Sequence, residues 1–260
     1  MLKIVICGAA GRMGREIITA AQRCDNIKVI AGIEERLNPV VNKKIDEIPI
    51  YDDLLSVIEQ VDCIVEFTNH IATMENLRKS APYKKPYCIG TTGFSATEIE
   101  EIKELAKSFP VFLSPNMSLG VNHLLNLVKN TARVLSDYDI EIIETHHRAK
   151  KDAPSGTALS IADKIKEVKP ELNIIFGRHG IGEERNKNEL CINAIRGGDI
   201  VGEHRILFLG KGEFLEIRHY ATSRQCFASG TIEAVKFIVK QRPGLYSMLD
   251  LLKYTANGIH

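Results

Sequence analysis

Leu2 to Cys7 (LKIVIC) is a continuous apolar, branched run, and a glycine-rich stretch follows at once: Gly8-Ala9-Ala10-Gly11-Arg12-Met13-Gly14. After it, Met13, Ile17, Ala21 and Cys24 recur at helical spacing. A buried parallel strand, a glycine turn and a helix, in that order, constrain the fold more than any composition does. Glycine at the turn lets the backbone come close to a pyrophosphate. The helix N-terminus then offers unpaired N–H groups and a partial positive charge to the anion. Gly-x-x-Gly-x-x-Gly is a variant of the dinucleotide fingerprint, and here it occupies the first strand-to-helix turn. Glu34 lies 20 residues after Gly14, at the end of the strand-like run Lys28 to Ile33. A carboxylate at that place binds the adenine ribose hydroxyls. Glycine turns between strand and helix are common, so a structural turn beside an incidental surface Glu is the competing reading. Placement, more than the letters, favours the cofactor. Glu35 adds a second acid, which repels a ribose phosphate and favours NADH. Arg36, one residue on, could turn to accept a phosphate, so NADPH stays open.

Strand and helix patterns alternate through the first half. Cys63 to Phe67, Pro86 to Ile89 and Val111 to Leu113 read as strands, and His70 to Ala81 and Thr97 to Ser108 as helices. The last opens with Thr97 and Glu100, a capping-box pattern. The alternation predicts an α/β fold with a Rossmann-like, doubly wound parallel sheet. The character changes near Asn116. Leu119 to Leu135 predicts a long amphipathic helix, Asp139 to Thr145 a strand, and Thr157 to Lys166 a short helix. Strand-like segments follow at Leu190 to Ile195, Ile206 to Leu209 and Phe214 to His219 without intervening helices. That predicts a mixed or antiparallel α+β part. Ala228 to Lys240 and Leu245 to Leu252 read as closing helices, and Arg36 to Glu47 and Arg178 to Glu189 as surface loops.

The 260 residues carry a formal net charge of +1, so no global basic excess points to nucleic acid or a membrane surface. The N-terminal apolar run is too short for a secretory core, and no stretch reaches the ~18 apolar residues of a membrane span. None of the six cysteines pairs as Cys-x-x-Cys, so no metal site is expected. Cys7, Cys63 and Cys88 sit in strand-like runs and read as reduced, buried small hydrophobes. The expected compartment is the cytoplasm.

The densest chemistry lies at Glu144 to Thr157, ETHHRAKKDAPSGT. His146, His147, Arg148, Lys150 and Lys151 crowd the end of a strand. A buried core would not accept that charge unpaired, whereas a solvated loop would. The cluster leads into Ser155-Gly156-Thr157, which opens a helix. Hydroxyls together with helix N-terminal N–H groups make a carboxylate site, and Ser155 can serve equally as a plain N-cap. Cations beside such a cradle suit a small dianion, and histidine exchanges protons near neutral pH.

The stretch ETHHRAKKDAPSGTA resembles the signature of the 4-hydroxy-tetrahydrodipicolinate reductase family, also called dihydrodipicolinate reductases. The likeness extends in order through GAAGRMG, EFT (Glu66 to Thr68), GTTGF (Gly90 to Phe94), SPNMSLGVN (Ser114 to Asn122) and RGGDIVGEH (Arg196 to His204). The resemblance implies reduction of 4-hydroxy-tetrahydrodipicolinate, via dihydrodipicolinate, in the diaminopimelate route to lysine. It implies a dinucleotide domain of residues 1–117 and 228–260, with a substrate and oligomerisation domain of residues 118–227 inserted. Gly8, Ala9, Ala10, Gly11, Arg12 and Met13 would bind the pyrophosphate and Glu34 the ribose. Gly90, Thr91, Thr92, Ser114, Pro115, Asn116 and Met117 would line the nicotinamide site. His146 matches the family's proton donor/acceptor and Lys150 its second proton donor. His147, Gly156 and Thr157 match contacts to the dicarboxylate substrate, with Ser155 adjoining. The family is usually tetrameric, so a homotetramer is expected. Where the family often has Arg after the ribose-binding acid, this chain has Glu35, and Met117 replaces a common aromatic residue.

Two other readings compete. An aldehyde dehydrogenase would need a reactive cysteine beside the nicotinamide. A nucleotide-sensing regulator would keep the fold without the chemistry, but would have no need for proton donors beside a dicarboxylate cradle. His70, His123, His179, His219 and His260 are expected to be surface or satisfied structural residues. His204 and Arg224 receive no role.

Overall fold

The computed structural model describes residues 1–258, and His260 lies outside the described residues. The chain divides into two compact units, residues 1–119 together with the segment from Arg224 onward, and Gly120–Ser223.

The first unit starts with β1 (Leu2–Cys7), α1 (Arg12–Gln22) and β2 (Ile27–Ile33). The polar stretch that reads as a loop contains a small hairpin, β3 (Lys44–Ile45) and β4 (Ile48–Tyr51). Its turn residues Asp46 and Glu47 have φ of 47° and 66°. Two left-handed residues match the twist of a tight hairpin, yet Asp-Glu is not a pair that announces one. β5 (Cys63–Glu66), α2 (His70–Ser80), β6 (Tyr87–Ile89), α3 (Ala96–Ala106) and β7 (Pro110–Leu113) follow. The capping box of α3 is formed by Ser95 and Glu98, not by Thr97 and Glu100. Ser95 keeps the extended backbone an N-cap requires, whereas Thr97 already lies inside the first turn.

The second unit takes most of α4 (Leu119–Val134), then β8 (Asp139–His146), α5 (Gly156–Lys166) and β9 (Asn173–Phe176). β10 (Glu189–Arg196), β11 (Gly202–Leu209) and β12 (Phe214–Ala221) complete it. Its sheet runs β12-β11-β8-β10-β9. β8, β9 and β10 are parallel, and β11 is antiparallel to both neighbours. The sheet is therefore mixed, as the strand spacing predicts. β9 escaped the sequence pattern because its short run NIIF is only half-buried. On β8, Ile140 and Ile142 face α4 and α5, packing with Val128, Ile161 and Ile165. Period-two alternation sends Glu144 and His146 to that same face.

The chain then returns to the first unit with α6 (Gln225–Ile238), β13 (Gly244–Tyr246) and α7 (Met248–Ala256). A strand thus precedes the last helix where the sequence reads as one helix. The sheet order is β13-β7-β6-β5-β1-β2-β4-β3, with every neighbouring pair parallel except β3 with β4. Both faces are covered, which is why Ile4 to Cys7 of β1 reads as a continuous apolar run. Ile4 and Ile6 pack toward residues of α1, α6 and α7, while Val5 and Cys7 pack toward α2 and α3. The returning helices therefore share one face of the sheet with α1. The chain leaves β1 for β2 on one side and reaches β5 on the other, so β1 borders the topological switch point.

α6 lies close to the loop after β7. A Cβ on Gly230 would stand 1.8 Å from the Met117 carbonyl oxygen. Gly230→Ala should therefore cost about 1–3 kcal/mol or more in urea unfolding, as overpacking does. Gly182→Ala, with no neighbour within 4 Å of the new methyl, is the control and should stay within about 0.5 kcal/mol.

Candidate functional site

The first unit carries a groove of about 940 Å³ at the carboxyl ends of β1, β2 and β5. Gly8, Ala10, Gly11, Glu34, Arg36, Asn38, Thr68 and Lys79 are among its lining residues. Gly8 sits at φ 81°, and a Cβ there would meet the Phe67 carbonyl oxygen at 2.5 Å. A Cβ on Gly14 would meet the Gly8 carbonyl oxygen at 2.2 Å. The turn can close only on glycines, and closing it sets the start of α1 at the groove. No side chain caps that helix at Gly11, and Arg12 and Met13 form its first turn. These residues fit a pyrophosphate: uncapped N–H groups and a helix N-terminus beside an open groove. Ala9 is fully buried, so only its backbone can take part. Glu34 accepts from the Ala10 N–H at 2.6 Å and from the Asn38 side chain at 3.0 Å. A carboxylate has about four acceptor sites, so two remain for ribose hydroxyls. Arg36 is exposed, 3.9 Å from Asp52, and Lys79 pairs with Glu75.

The predicted nicotinamide segments all lie after sheet strands. Gly90 follows β6, and a Cβ there would press into the Phe67 ring at 2.2 Å. Thr91 is buried and Thr92 exposed. The Ser114 hydroxyl donates to the Asn116 carbonyl at 2.8 Å, and the Asn116 side chain accepts from the Ser118 N–H at 2.9 Å. Pro115 is exposed. Met117 is only 2% exposed and packs in the core of the first unit. Its side chain therefore fills core space.

Glu66 went unnoticed as a functional group, although its EFT motif was visible. It is fully buried at the end of β5. Thr68 donates to it at 2.5 Å and Asn76 at 3.1 Å. Thr68 also meets Thr73 at 3.2 Å, and Thr73 donates to Thr91 at 2.9 Å. Burial pushes the Glu66 carboxyl up, against the hydrogen bonds from Thr68, Asn76 and the Cys7 thiol. Burial, reinforced by Glu66, also pushes the Cys7 thiol well up, so it stays protonated. The cysteine nearest the cofactor groove is thus no nucleophile, which tells against the aldehyde dehydrogenase reading.

In the second unit a polar cluster sits at one end of the helix-covered sheet face. His146 ends β8, Arg196 ends β10 opposite it, and His204 on β11 stands opposite Glu144. His146 Nδ1 lies 2.5 Å from Glu144 Oε2. Arg196 donates to both Glu144 oxygens, at 2.8 and 2.7 Å, and the Ser155 N–H donates to Oε1 at 3.0 Å. Burial alone would push the Glu144 carboxyl up. The bonds from His146, Arg196 and Ser155 outweigh it and bring it down to about 2. The Ser155 hydroxyl caps α5 by accepting from the Ala158 N–H at 3.2 Å, and it meets His204 Nε2 at 3.0 Å. Burial, and then the His146 charge, pushes His204 down to about 3, so it is neutral at ordinary pH. Gly156 is exposed, and nothing stands within 4 Å of where its Cβ would be. Thr157 is half-buried beside it, in the first turn of α5. Lys150 reaches Asp152 at 2.9 Å, and the His147 N–H bonds the Ile200 carbonyl at 2.8 Å.

The structure brings His146, Ser155 and the start of α5 together. Glu144, Arg196 and His204 belong to the same cluster, and their roles were missed. Their signal was the strand period: Glu144 is two residues before His146, so both face one way. His219 departs from its expected satisfied state. Its Nδ1 is buried with no partner, and burial lowers its proton affinity.

Comparisons with known proteins match both parts of the chain. The family profile described as "Dihydrodipicolinate reductase, N-terminus" matches residues 2–117, and "Dihydrodipicolinate reductase, C-terminus" matches residues 120–252. The 4-hydroxy-tetrahydrodipicolinate reductase of Caldanaerobacter subterraneus subsp. tengcongensis is 43% identical over 97% of this chain and 99% of its own length. That of Aquifex aeolicus is 44% identical over 96% and 98%. Among solved structures, a dipicolinate-bound dihydrodipicolinate reductase from Paenisporosarcina sp. TG-14 superposes with a TM-score of 0.81 at 25% identity, covering 96% of this chain and 98% of that one. The likeness spans the glycine turn, the NAD(P)-binding unit and the histidine cluster alike, and this chain belongs to the dihydrodipicolinate reductase family.

Proposed function

We propose that the protein reduces 4-hydroxy-tetrahydrodipicolinate, via dihydrodipicolinate, to tetrahydrodipicolinate in the diaminopimelate route of lysine biosynthesis. The observation that carries this reading is the buried Glu144–His146–Arg196 cluster joined to the uncovered N-terminus of α5. A proton carrier and a carboxylate cradle stand on one piece of sheet, and its relatives carry the name of that reaction.

When bound, the reduced nicotinamide supplies a hydride to a ring carbon of the conjugated imine. The Gly8–Met13 turn holds the pyrophosphate and Glu34 the ribose, while Gly90–Thr92 and Ser114–Met117 border the nicotinamide. Gly156 and Thr157 hold one carboxylate of the substrate through the start of α5, with Ser155 and His147 beside them. Negative charge builds on the ring nitrogen and the carboxylate as the hydride adds. Lys150 and protonated His146 stabilise that charge, and one of them donates the proton that completes the reduction, a contribution typically worth about 10²–10⁴-fold in rate. Glu35 beside Glu34 favours NADH, and NADPH is accepted more weakly.

The second unit also supports the assembly we propose, a homotetramer. Phe214, Tyr220 and Ile195 are 63%, 47% and 50% exposed, on the sheet face opposite the α5 side. Among the described residues no helix is long and apolar enough to cross a membrane. The six cysteines are free, which suits the reducing cytoplasm.

Oxidation of NADH with the product mixture of the preceding synthase tests the reaction, and an inert mixture would refute it. His146→Gln should lower turnover by about 10²-fold or more with NADH affinity unchanged. Lys150→Ala should weaken both substrate binding and rate. Cofactor titration should give tighter binding of NADH than of NADPH. A far tighter NADPH complex would overturn the assignment to Glu35. Light scattering should return four times the 29.0 kDa chain mass, and Tyr220→Glu should lower it.

A further inference from the structure

We propose that Glu144, clamped by Arg196, is a positioning residue that fixes His146 in the tautomer with Nδ1 protonated and Nε2 presented as the proton-exchanging atom.

The case starts from what a carboxylate can do. An ionised carboxylate only accepts hydrogen bonds. Glu144 has no exposed surface, and its partners keep it ionised down to about pH 2. At 2.5 Å from Oε2, His146 Nδ1 must therefore carry a proton. In the neutral ring the lone pair is then at Nε2. Among the described residues no group hydrogen-bonds Nε2. The backbone also leaves space there: Gly202 lies against it, and a Cβ on Gly202 would approach Nε2 to 3.0 Å. The ring cannot turn freely, because His204 stands edge-on at 5.3 Å between centroids. The ring is thus held at one nitrogen and open at the other.

Arg196 makes the clamp affordable. Its fork satisfies both oxygens of Glu144 and supplies the opposite charge that a buried carboxylate requires. The fork is itself fixed, donating to the Asp152 carbonyl at 2.6 Å and to the Ile195 carbonyl at 2.7 Å. Asp152 pairs with Lys150, so the same guanidinium steadies the loop of the second proposed donor. Through Oε1, Glu144 also holds the Ser155 N–H. One carboxylate therefore ties the proton carrier to the residue that caps the cradle helix.

The charges facing His146 can be named by element. β8 supplies Glu144, β10 supplies Arg196, and the loop after β8 supplies Lys150 with Asp152. β11 supplies His204 and β12 supplies His219, both lowered by burial and so neutral. α5 supplies only the uncharged Ser155. Glu144 is the anion that bonds the ring. A carboxylate at hydrogen-bond distance holds a proton on the ring nitrogen that faces it.

This inference rests on the proposed reaction for its kinetic arm and is independent of it in its spectroscopic arm. Nitrogen-15 NMR of the histidine side chains in the unmodified protein should show His146 with Nδ1 protonated. Finding the proton at Nε2 would overturn the proposal whether or not the reaction is correctly named, and needs no variant to fold. In Glu144→Gln the other tautomer should become populated. Turnover should fall by about 10²–10⁴-fold, as in a catalytic triad whose carboxylate is neutralised. KM for the substrate should change far less. Glu144→Asp, which keeps the charge, should recover part of the rate. A Glu144→Gln enzyme with unchanged turnover and an unchanged His146 tautomer would reduce Glu144 to a structural residue and overturn the proposal.

Discussion

Burying a carboxylate is costly unless it is paired, and the second unit is built around one that is paired on every side. Glu144 has no exposed surface, yet it meets a guanidinium fork, an imidazole and a backbone N–H. Each partner comes from a different place in the sequence: β10, β8 itself, and the cap of α5. The arrangement requires β8 to lie beside β10 with His146 opposite Arg196, which the parallel register provides. It also requires α5 to begin at Ser155. The local fold of the second unit and the order of its site are therefore one constraint. Shifting β8 by one residue would turn Glu144 and His146 to the other face and leave Arg196 without a partner.

The two units treat buried carboxyls in opposite ways. Glu144 is lowered to about 2 because its partners include a cation and a protonatable ring. Glu66, also without exposed surface, is raised by burial, against bonds from hydroxyls, an amide and a thiol, none of which brings positive charge. Desolvation acts on both, and the neighbours decide the sign. The outcome suits the neighbourhoods. A fixed anion organises the histidine cluster.

The glycine turn, the strand-helix alternation and the ETHHRAKKDAPSGT stretch were legible because each is local. Their meaning depends on spacing within a few residues, and the elements appear within a few positions of where they are read. What stayed hidden is long-range or weakly marked. The Asp46–Glu47 hairpin turn lacks the usual residues, and β9 has no clear alternation. Thr97 and Glu100 have the same spacing as the true box at Ser95 and Glu98, and only the helix start separates them. Arg196 is 52 residues from Glu144, so no pattern along the chain joins them. His204 could be noticed in its motif but not placed until β11 was paired with β8.

The placement of the site follows from the period of a strand. On β8 the even positions point to one face, first as Ile140 and Ile142 in the core and then as Glu144 and His146 in the site. β11 repeats this in reverse, with Ile206 and Phe208 in the core and His204 at the site. The polar cluster is thus the continuation of the hydrophobic core, on the same face and under the same helix. This explains how His146 can be nearly buried and still oriented. A histidine on a solvated loop would spend its hydrogen bonds on water and its rotamers on entropy. Here packing immobilises the ring from one end of the sheet, and a paired carboxylate chooses which nitrogen is left open.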